Sequence, residues 1–300
     1  MPPLRVATRG SALARRQAER VVEMLDVEAE YVVVTTRGDE RRDVPIHAMG
    51  GTGVFVKEIE QAVLEGRADV AVHSAKDLPS STPPELLLGA FPERGDPRDA
   101  LVGRALDDIP AGGRIGTGSV RRRAQLASVR SDLGFGELRG NIPTRLEKAA
   151  AFDAVVVAAA ALDRLGLADR VAERVDPSVV LPQVAQGALA VECRADDAET
   201  RDLVARIDDP RVRAAVTAER AYLAELGGGC NLPCGAWAET TDDGAVRIEA
   251  LLASLDGRIS LRARVAGRDP QAVGVEAARR LVEDEGGRLV LDDELVGPTS

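Results

Sequence analysis

Lysine is nearly missing from this 300-residue chain: Lys57, Lys76 and Lys148 stand alone among 39 basic residues, the rest being arginine. The skew follows genome composition and carries no functional weight by itself, although single arginine forks still grip carboxylates and phosphates. Aromatic residues make up 2% and cysteines number three. So few cysteines, and an odd count, argue against a disulfide framework. No apolar run approaches the roughly 20 residues that span a bilayer. The opening MPPLRVATRG lacks the basic-then-apolar order of a signal peptide. No membrane partner is expected, and the expected compartment is cytoplasmic. There is no internal repeat and no low-complexity tract.

What is present reads as an ordinary globular protein, 45% apolar and 29% charged, with length for two domains or three small ones. The net charge of −10 disfavours a nucleic-acid partner. Yet Arg114 to Lys148 holds eight basic residues and three acidic ones, so the remainder carries −15. A basic island in an acidic chain suits one specific anion better than a polymer.

The first half alternates strand and helix signals. Leu4–Ala7 reads as a strand, and Ala14, Ala18, Val21, Val22 and Leu25 as one helical face with Ser11 as N-cap. Tyr31–Val34 is a second strand, 36–53 a polar surface loop, and Val54–Glu65 a helix closed by Gly66. Asp69–Val72 and Leu86–Ala90 complete a βαβ rhythm, which predicts a mostly parallel sheet. FPERGDPRD, Phe91 to Asp99, reads as a crossover to a second set. Its strands lie near Ala100–Val102, Arg114–Ile115, Glu137–Leu138 and Asp153–Ala158, and its helices begin near Ser119, Thr144 and Ala160. Pro182 to Gly187 breaks the pattern before a strand at Ala188–Val191. A chain that crosses and returns makes two lobes with a cleft between them, suited to a small ligand. Past Pro210 come a helix (Val212–Leu226), two strands (Val246–Ser254 and Arg258–Val265) about an Asp256-Gly257 turn, and a helix near 271–284. The expected units are 1–92 with 188–209, 97–184, and 211–300.

Five segments could carry chemistry. GTGSVRRRAQL, Gly116 to Leu126, runs from a strand into a turn and a helix opening on Arg121, Arg122 and Arg123. Free N–H groups at a helix start bind anions, and arginines there oppose the dipole unless a ligand compensates. The rival reading is a solvated arginine face. DVAVHSAKDLPS delivers Ser74, Lys76 and Asp77 to a strand's C-terminal end, where open α/β sheets bind ligands. Asp77 as a buried carboxylate could steady a nearby cation, or Asp77 and Lys76 could be a cap and a surface residue. His73 inside that strand reads as a satisfied core histidine. ATRGSALARRQ places Arg9 and Ser11 alike after a strand, and LRGNIPTRLEK adds Arg139 and Arg145. GGGCNLPCG exposes Cys230 in a glycine turn, with Cys234 after it. No metal site is expected, since the other ligands (Cys193, His47, His73) are scattered. These features leave open an enzyme, a two-lobed module capturing a carboxylate, and, less well supported, a pyridoxal-phosphate enzyme using Lys76.

Taken in order, ATRGS, VTTRGD, HSAKD, ERGDPRDAL, IGTGSVRRRAQL, LRGNIPTRL and GGGCNLPCG resemble the porphobilinogen deaminase (hydroxymethylbilane synthase) family over nearly the whole chain. The resemblance implies an α/β fold: two periplasmic-binding-protein-like α/β lobes with a cleft between them, plus a small C-terminal α+β domain. It implies condensation of four porphobilinogen molecules with loss of ammonia, on a dipyrromethane cofactor joined by a thioether to Cys230. Asp77 matches the catalytic aspartate. Lys76, Thr117, Ser119, Arg121 and Arg122 match cofactor-binding positions, and Arg9, Ser11, Arg139, Arg145 and Arg164 substrate-binding positions. A monomer is expected. Thr52 stands where many members have lysine, Gly118 where serine is common, and Gly10 where glutamine is; Arg37, Arg41 or Arg42 could replace the lost lysine.

Overall fold

The computed structural model describes residues 2–36, 53, 56–227 and 232–296. Apolar strands build two five-stranded sheets. The first holds β1 (Leu4–Arg9), β2 (Ala29–Val34), β3 (Val70–Ser74) and β4 (Leu86–Ala90). The second is formed by β5 (Asp99–Gly103), β6 (Arg114–Gly116), β7 (Gly134–Gly136), β8 (Ala154–Ala158) and β9 (Glu173–Arg174). The chain then returns, and β10 (Leu189–Arg194) inserts between β3 and β4. The orders are β2-β1-β3-β10-β4 and β7-β6-β8-β5-β9, the same plan twice.

Neither sheet is as parallel as the βαβ rhythm predicts. β10 runs antiparallel to β3 and β4, and β5 antiparallel to β8 and β9. The reason is the route of the chain. Each crossing strand enters its sheet from the cleft, so Leu189 pairs with Ser74 and Asp99 with Ala158, both at strand ends. This puts the first residue of each crossing strand beside the loops that line the cleft. The two crossovers also hold each other, through an Arg94–Ala188 bridge and a Gly95 N–H to Gly187 carbonyl bond of 3.0 Å.

Local signals behave as their chemistry requires. Ser11 caps the helix Ala12–Leu25, its Oγ accepting from Ala14 N–H at 3.3 Å. Gly66 lies at φ +68° just past the helix Lys57–Leu64. Several boundaries moved: the strand expected at Arg258–Val265 lies at Ser260–Gly267, and the helix expected from Val54 starts at Lys57, with 54 and 55 outside the described residues. Two others have a local cause. The strand expected at Glu137–Leu138 lies at Gly134–Gly136, where the ladder to β6 runs, and Leu138 turns into the core instead. The helix expected from Thr144 starts at Ile142, because Asn141 caps it and Pro143 suits a first turn.

The third domain is a meander of β11 (Cys234–Thr240), β12 (Val246–Ala253) and β13 (Ser260–Gly267) against the helices Pro210–Glu225 and Pro270–Arg279. β11 and the final helix Gly287–Val296 were not read from the sequence. The expected helix 271–284 ends in a π turn, Arg280–Asp284. The hairpin tip does not stand free. Gly257, at φ +75°, lies so close to the helix Val120–Val129 that a Cβ would meet the Ala124 carbonyl oxygen at 2.3 Å. Gly235 is pressed likewise on the Leu181 and Pro182 carbonyls and the Arg121 side chain. The domain's core runs on into the crossovers, where Phe91, Ala185 and Ala188 pack in one cluster with Tyr222 and Ile248.

The resulting molecule is α/β, with two sheet-containing lobes of one strand plan about a cleft and a small C-terminal α+β domain. No helix among the described residues is long and apolar enough to cross a membrane.

Candidate active site between the lobes

The first lobe brings strand ends to the cleft. β3 stops at Ser74, and a 3-10 turn, Ala75–Asp77, carries Lys76 and Asp77 onward. Arg9 ends β1 and Ser11 follows it. With Gln17, His73, Ser74 and Asp77 they line a cavity of about 60 Å³. Gln17 donates to Ser74 Oγ at 2.9 Å. It is absent from the sequence candidates, yet its place on the helix behind ATRGS could have suggested it.

The second lobe answers with helix starts. Ser119 caps the helix Val120–Val129 by accepting from Arg122 N–H (3.4 Å), and Thr117 Oγ1 accepts from Ser119 N–H (3.1 Å). Arg121 and Arg122 are both buried there, and the structure corrects the reason for their placement. An internal carboxylate, Asp99, opposes them before any ligand does. Arg121 donates to Asp99 Oδ2 at 2.7 Å, and Arg122 to Oδ1 through Nε and an amino group at 3.0 and 2.6 Å. Gln186 adds a fourth donor at 2.8 Å. Burial alone would raise the Asp99 pKa, but the two guanidinium groups outweigh it and hold it well below the usual range. Arg121, under burial and Arg122's repulsion, is pulled below the ordinary arginine value. One further amino group of each reaches a carbonyl, Arg121 to Leu181 (2.6 Å) and Arg122 to Val156 (3.0 Å). The solvated arginine face is thus excluded for this pair. The signal for Asp99 was a carboxylate opening an otherwise apolar strand.

Lys76 joins the lobes. Its Nζ donates to Gln186 Oε1 at 3.3 Å, and Gln183 donates to its carbonyl at 3.3 Å. Burial pushes the Lys76 ammonium down to about 8, with Asp77 opposing and Arg122 assisting. Arg145 feels Arg122, Asp77 and Arg139; burial first, then Arg122, lowers it to about 10. Its Nε is held by the Gly140 carbonyl at 2.8 Å. Lys76, Asp77, Arg122, Arg139 and Arg145 therefore share one electrostatic neighbourhood drawn from both lobes. Arg139 lies 3.6 Å from Glu137. Arg164 sits at the crossover instead, donating to the Gly187 carbonyl at 2.7 Å and lying 3.7 Å from Glu93. His73 is buried as expected but not satisfied: its Nε2 is 3.3 Å from Glu192 and lacks an aligned hydrogen bond. Cys230, Thr52, Arg37, Arg41 and Arg42 lie outside the described residues.

Such a site defines a class: a two-lobed protein in which cationic side chains from both lobes gather beside a carboxylate, Asp77. Comparison with known proteins narrows it. The family model described as "Porphobilinogen deaminase, dipyromethane cofactor binding domain" matches residues 4–202, and its C-terminal domain matches 213–283. The porphobilinogen deaminase of Syntrophus aciditrophicus (strain SB) is 45% identical, over 96% of this chain and 98% of that protein. The porphobilinogen deaminase of Roseiflexus sp. (strain RS-1) is 46% identical, over 95% and 97%. Among solved structures, a substrate-binding protein of an amino acid ABC transporter aligns at 13% identity and TM-score 0.33, over 68% of this chain and 90% of that one, too slight a likeness to argue from. The chain belongs to the porphobilinogen deaminase family. It is a transferase of tetrapyrrole biosynthesis, a hydroxymethylbilane synthase that condenses four porphobilinogen molecules head to tail and releases ammonia, with a dipyrromethane cofactor.

Proposed function

We propose that Asp77 is the catalytic carboxylate, that Cys230 carries the dipyrromethane, and that Lys76, Thr117, Ser119, Arg121 and Arg122 hold it. Arg9, Ser11, Arg139, Arg145 and Arg164 hold porphobilinogen and the added rings. One observation supports this most: cations from both lobes, Lys76, Arg122 and Arg145, gather about Asp77. The donor set fits a poly-acidic pyrrole, since each porphobilinogen brings an acetate and a propionate. Taking those carboxylates out of water unpartnered would cost several kcal/mol each. Hydrogen bonds from charged donors return about 1.5–3 kcal/mol apiece.

When bound, the dipyrromethane supplies the acceptor pyrrole on which the product is built. The chain's own work is positioning and electrostatics. Arginine and lysine fix the substrate carboxylates. Asp77 accepts a hydrogen bond from the substrate pyrrole N–H and faces the positive charge that forms as the amine leaves. A fixed anion in a partly desolvated cleft stabilises that charge far better than water does. Gly235 packs on Arg121, so β11, which follows the GGGCNLP stretch, starts beside the cofactor-binding helix. We take the enzyme to work as a cytoplasmic monomer with no nucleic-acid or membrane partner, a reading its net charge of −10 supports.

Intact mass tests the assignment. The holoprotein is expected to exceed its sequence mass by one dipyrromethane and to show evenly spaced additions with porphobilinogen. Cys230→Ser is expected to lose both, and an unmodified mass with full turnover in that variant refutes the tether. Asp77→Asn is expected to keep the cofactor mass but lose turnover by roughly 10²–10⁴-fold; near-normal rates remove Asp77 from the catalytic role.

A further inference from the structure

Beneath the cleft lies a buried cluster that the mechanism above does not use. His73 stands on β3, and its ring lines the same cavity as Asp77, Arg9 and Ser11. Its Nε2 is 3.3 Å from Glu192 Oε2 of β10, with side-chain exposures of 2% and 1%. Neither Glu192 oxygen nor His73 Nε2 has an aligned hydrogen bond among the described residues. Polar groups buried in this way are costly and call for a water or a functional proton. Glu60, also buried, approaches from the helix Lys57–Leu64, and its pKa is raised by burial and then by the charge on Glu192. The other charges facing the cluster are Lys57 on that helix and Arg220 on the helix Pro210–Glu225, the latter tied to the Ser80 carbonyl at 3.3 Å. Two carboxylates and an imidazole in one buried space disfavour holding both negative charges, and a proton shared among them removes the conflict. Of this cluster His73 lines the cavity of about 60 Å³ that Asp77 also lines, and that cavity has room for water.

We propose that His73, at the wall of the Asp77 cavity and backed by Glu192 and Glu60, forms a proton-holding site, taking up the ring proton released in each condensation and returning it to the departing ammonia. The inference rests on the reading that places the reacting centre at Asp77. The balance is complete. Porphobilinogen enters with its aminomethyl group as an ammonium. The C–N bond breaks with its electron pair on nitrogen, giving ammonia and a methylene-pyrrole cation on the substrate. The new C–C bond takes two electrons from the acceptor ring, whose carbon then sheds its hydrogen as a proton. His73, paired with Glu192, receives that proton through cavity water and passes it to ammonia, which leaves as ammonium. No proton is gained or lost overall.

The chain has two histidines, His47 and His73, so ring signals in the holoenzyme are readily assigned by NMR. The His73 ring signal, identified by its loss in His73→Gln, is expected to shift in Glu192→Gln, which removes the adjacent anion and keeps the shape. Turnover per cofactor-bearing molecule is expected to fall by roughly 10²-fold in His73→Gln, and the pH profile of kcat is expected to change in both variants. A His73 signal indifferent to Glu192→Gln, or wild-type kcat and pH profile in both variants, overturns the proposal. If His73→Gln fails to fold, Glu192→Gln, which keeps the shape and removes one charge, decides alone. Normal turnover in Asp77→Asn would instead overturn the placement of the reacting centre, and the response of the His73 ring signal to Glu192→Gln distinguishes that failure from this one.

Discussion

Asp99→Asn removes a single charge at the point where the second lobe is most dependent on it. Asp99 accepts three bonds from Arg121 and Arg122 and one from Gln186, and its side chain is fully buried. Asparagine keeps the volume and one acceptor oxygen but leaves two guanidinium groups buried without a counter-charge. Breaking a buried pair in this way costs about 3–5 kcal/mol. At roughly 2–4 °C per kcal/mol for a chain this long, Tm should fall by roughly 6–20 °C. The sign with pH follows from the depressed pKa. The stabilisation is present above the unfolded-state carboxylate pKa of about 4 and is lost as pH falls through the lower folded value. Between pH 5 and 8 the gap between wild type and variant should therefore be constant, and it should narrow only in acid. Thermal unfolding followed by circular dichroism at several pH values measures this. A Tm within about 2 °C of wild type at pH 7, or a gap that changes between pH 6 and 8, would show that Asp99 does not neutralise the arginine pair.

Three further outcomes are expected. With Lys76 at about 8, binding of porphobilinogen carboxylates should weaken as pH rises through 8, and Lys76→Arg, always charged, should flatten that dependence in substrate titrations; a slope unchanged by the substitution would exclude Lys76 as its source. Gly257→Ala drives a Cβ to 2.3 Å from the Ala124 carbonyl at a left-handed φ of +75°, so it should cost about 1–3 kcal/mol in denaturant melts, and a neutral result would mean the hairpin tip does not dock on that helix. Tyr222 donates to the Leu251 carbonyl at 2.6 Å inside the third domain, so Tyr222→Phe should destabilise by about 1–3 kcal/mol; a neutral or stabilising change in chemical denaturation would count against that bond.

Local order was largely legible because local chemistry sets it. Ser11 was readable as a cap since its hydroxyl needs only the N–H of Ala14, three residues on. The apolar run before His73 could only be a buried strand, and HSAKD after it marked a strand end. What stayed hidden involved partners distant in sequence. β11 escaped because GAWAE carries weak alternation and becomes a strand only by pairing with β12. The antiparallel entry of β5 and β10 depends on which end of a sheet the crossover reaches, which no window of residues records.

The same division runs through the site. Residue order alone determined the cast: a basic island, Lys76 and Asp77 behind one strand, Arg9 and Ser11 behind another, a cysteine in a glycine turn. Only the tertiary structure decided that Asp99, 22 and 23 residues from its arginines, would absorb part of their charge. It also decided that Gln186 would link Asp99 to Lys76, and that His73 would face Glu192 without an aligned bond. Charge in a folded protein acts over ångströms of space in a medium that screens it poorly, so its effect is set by which groups the crossovers bring together, and that proximity is absent from the linear chain.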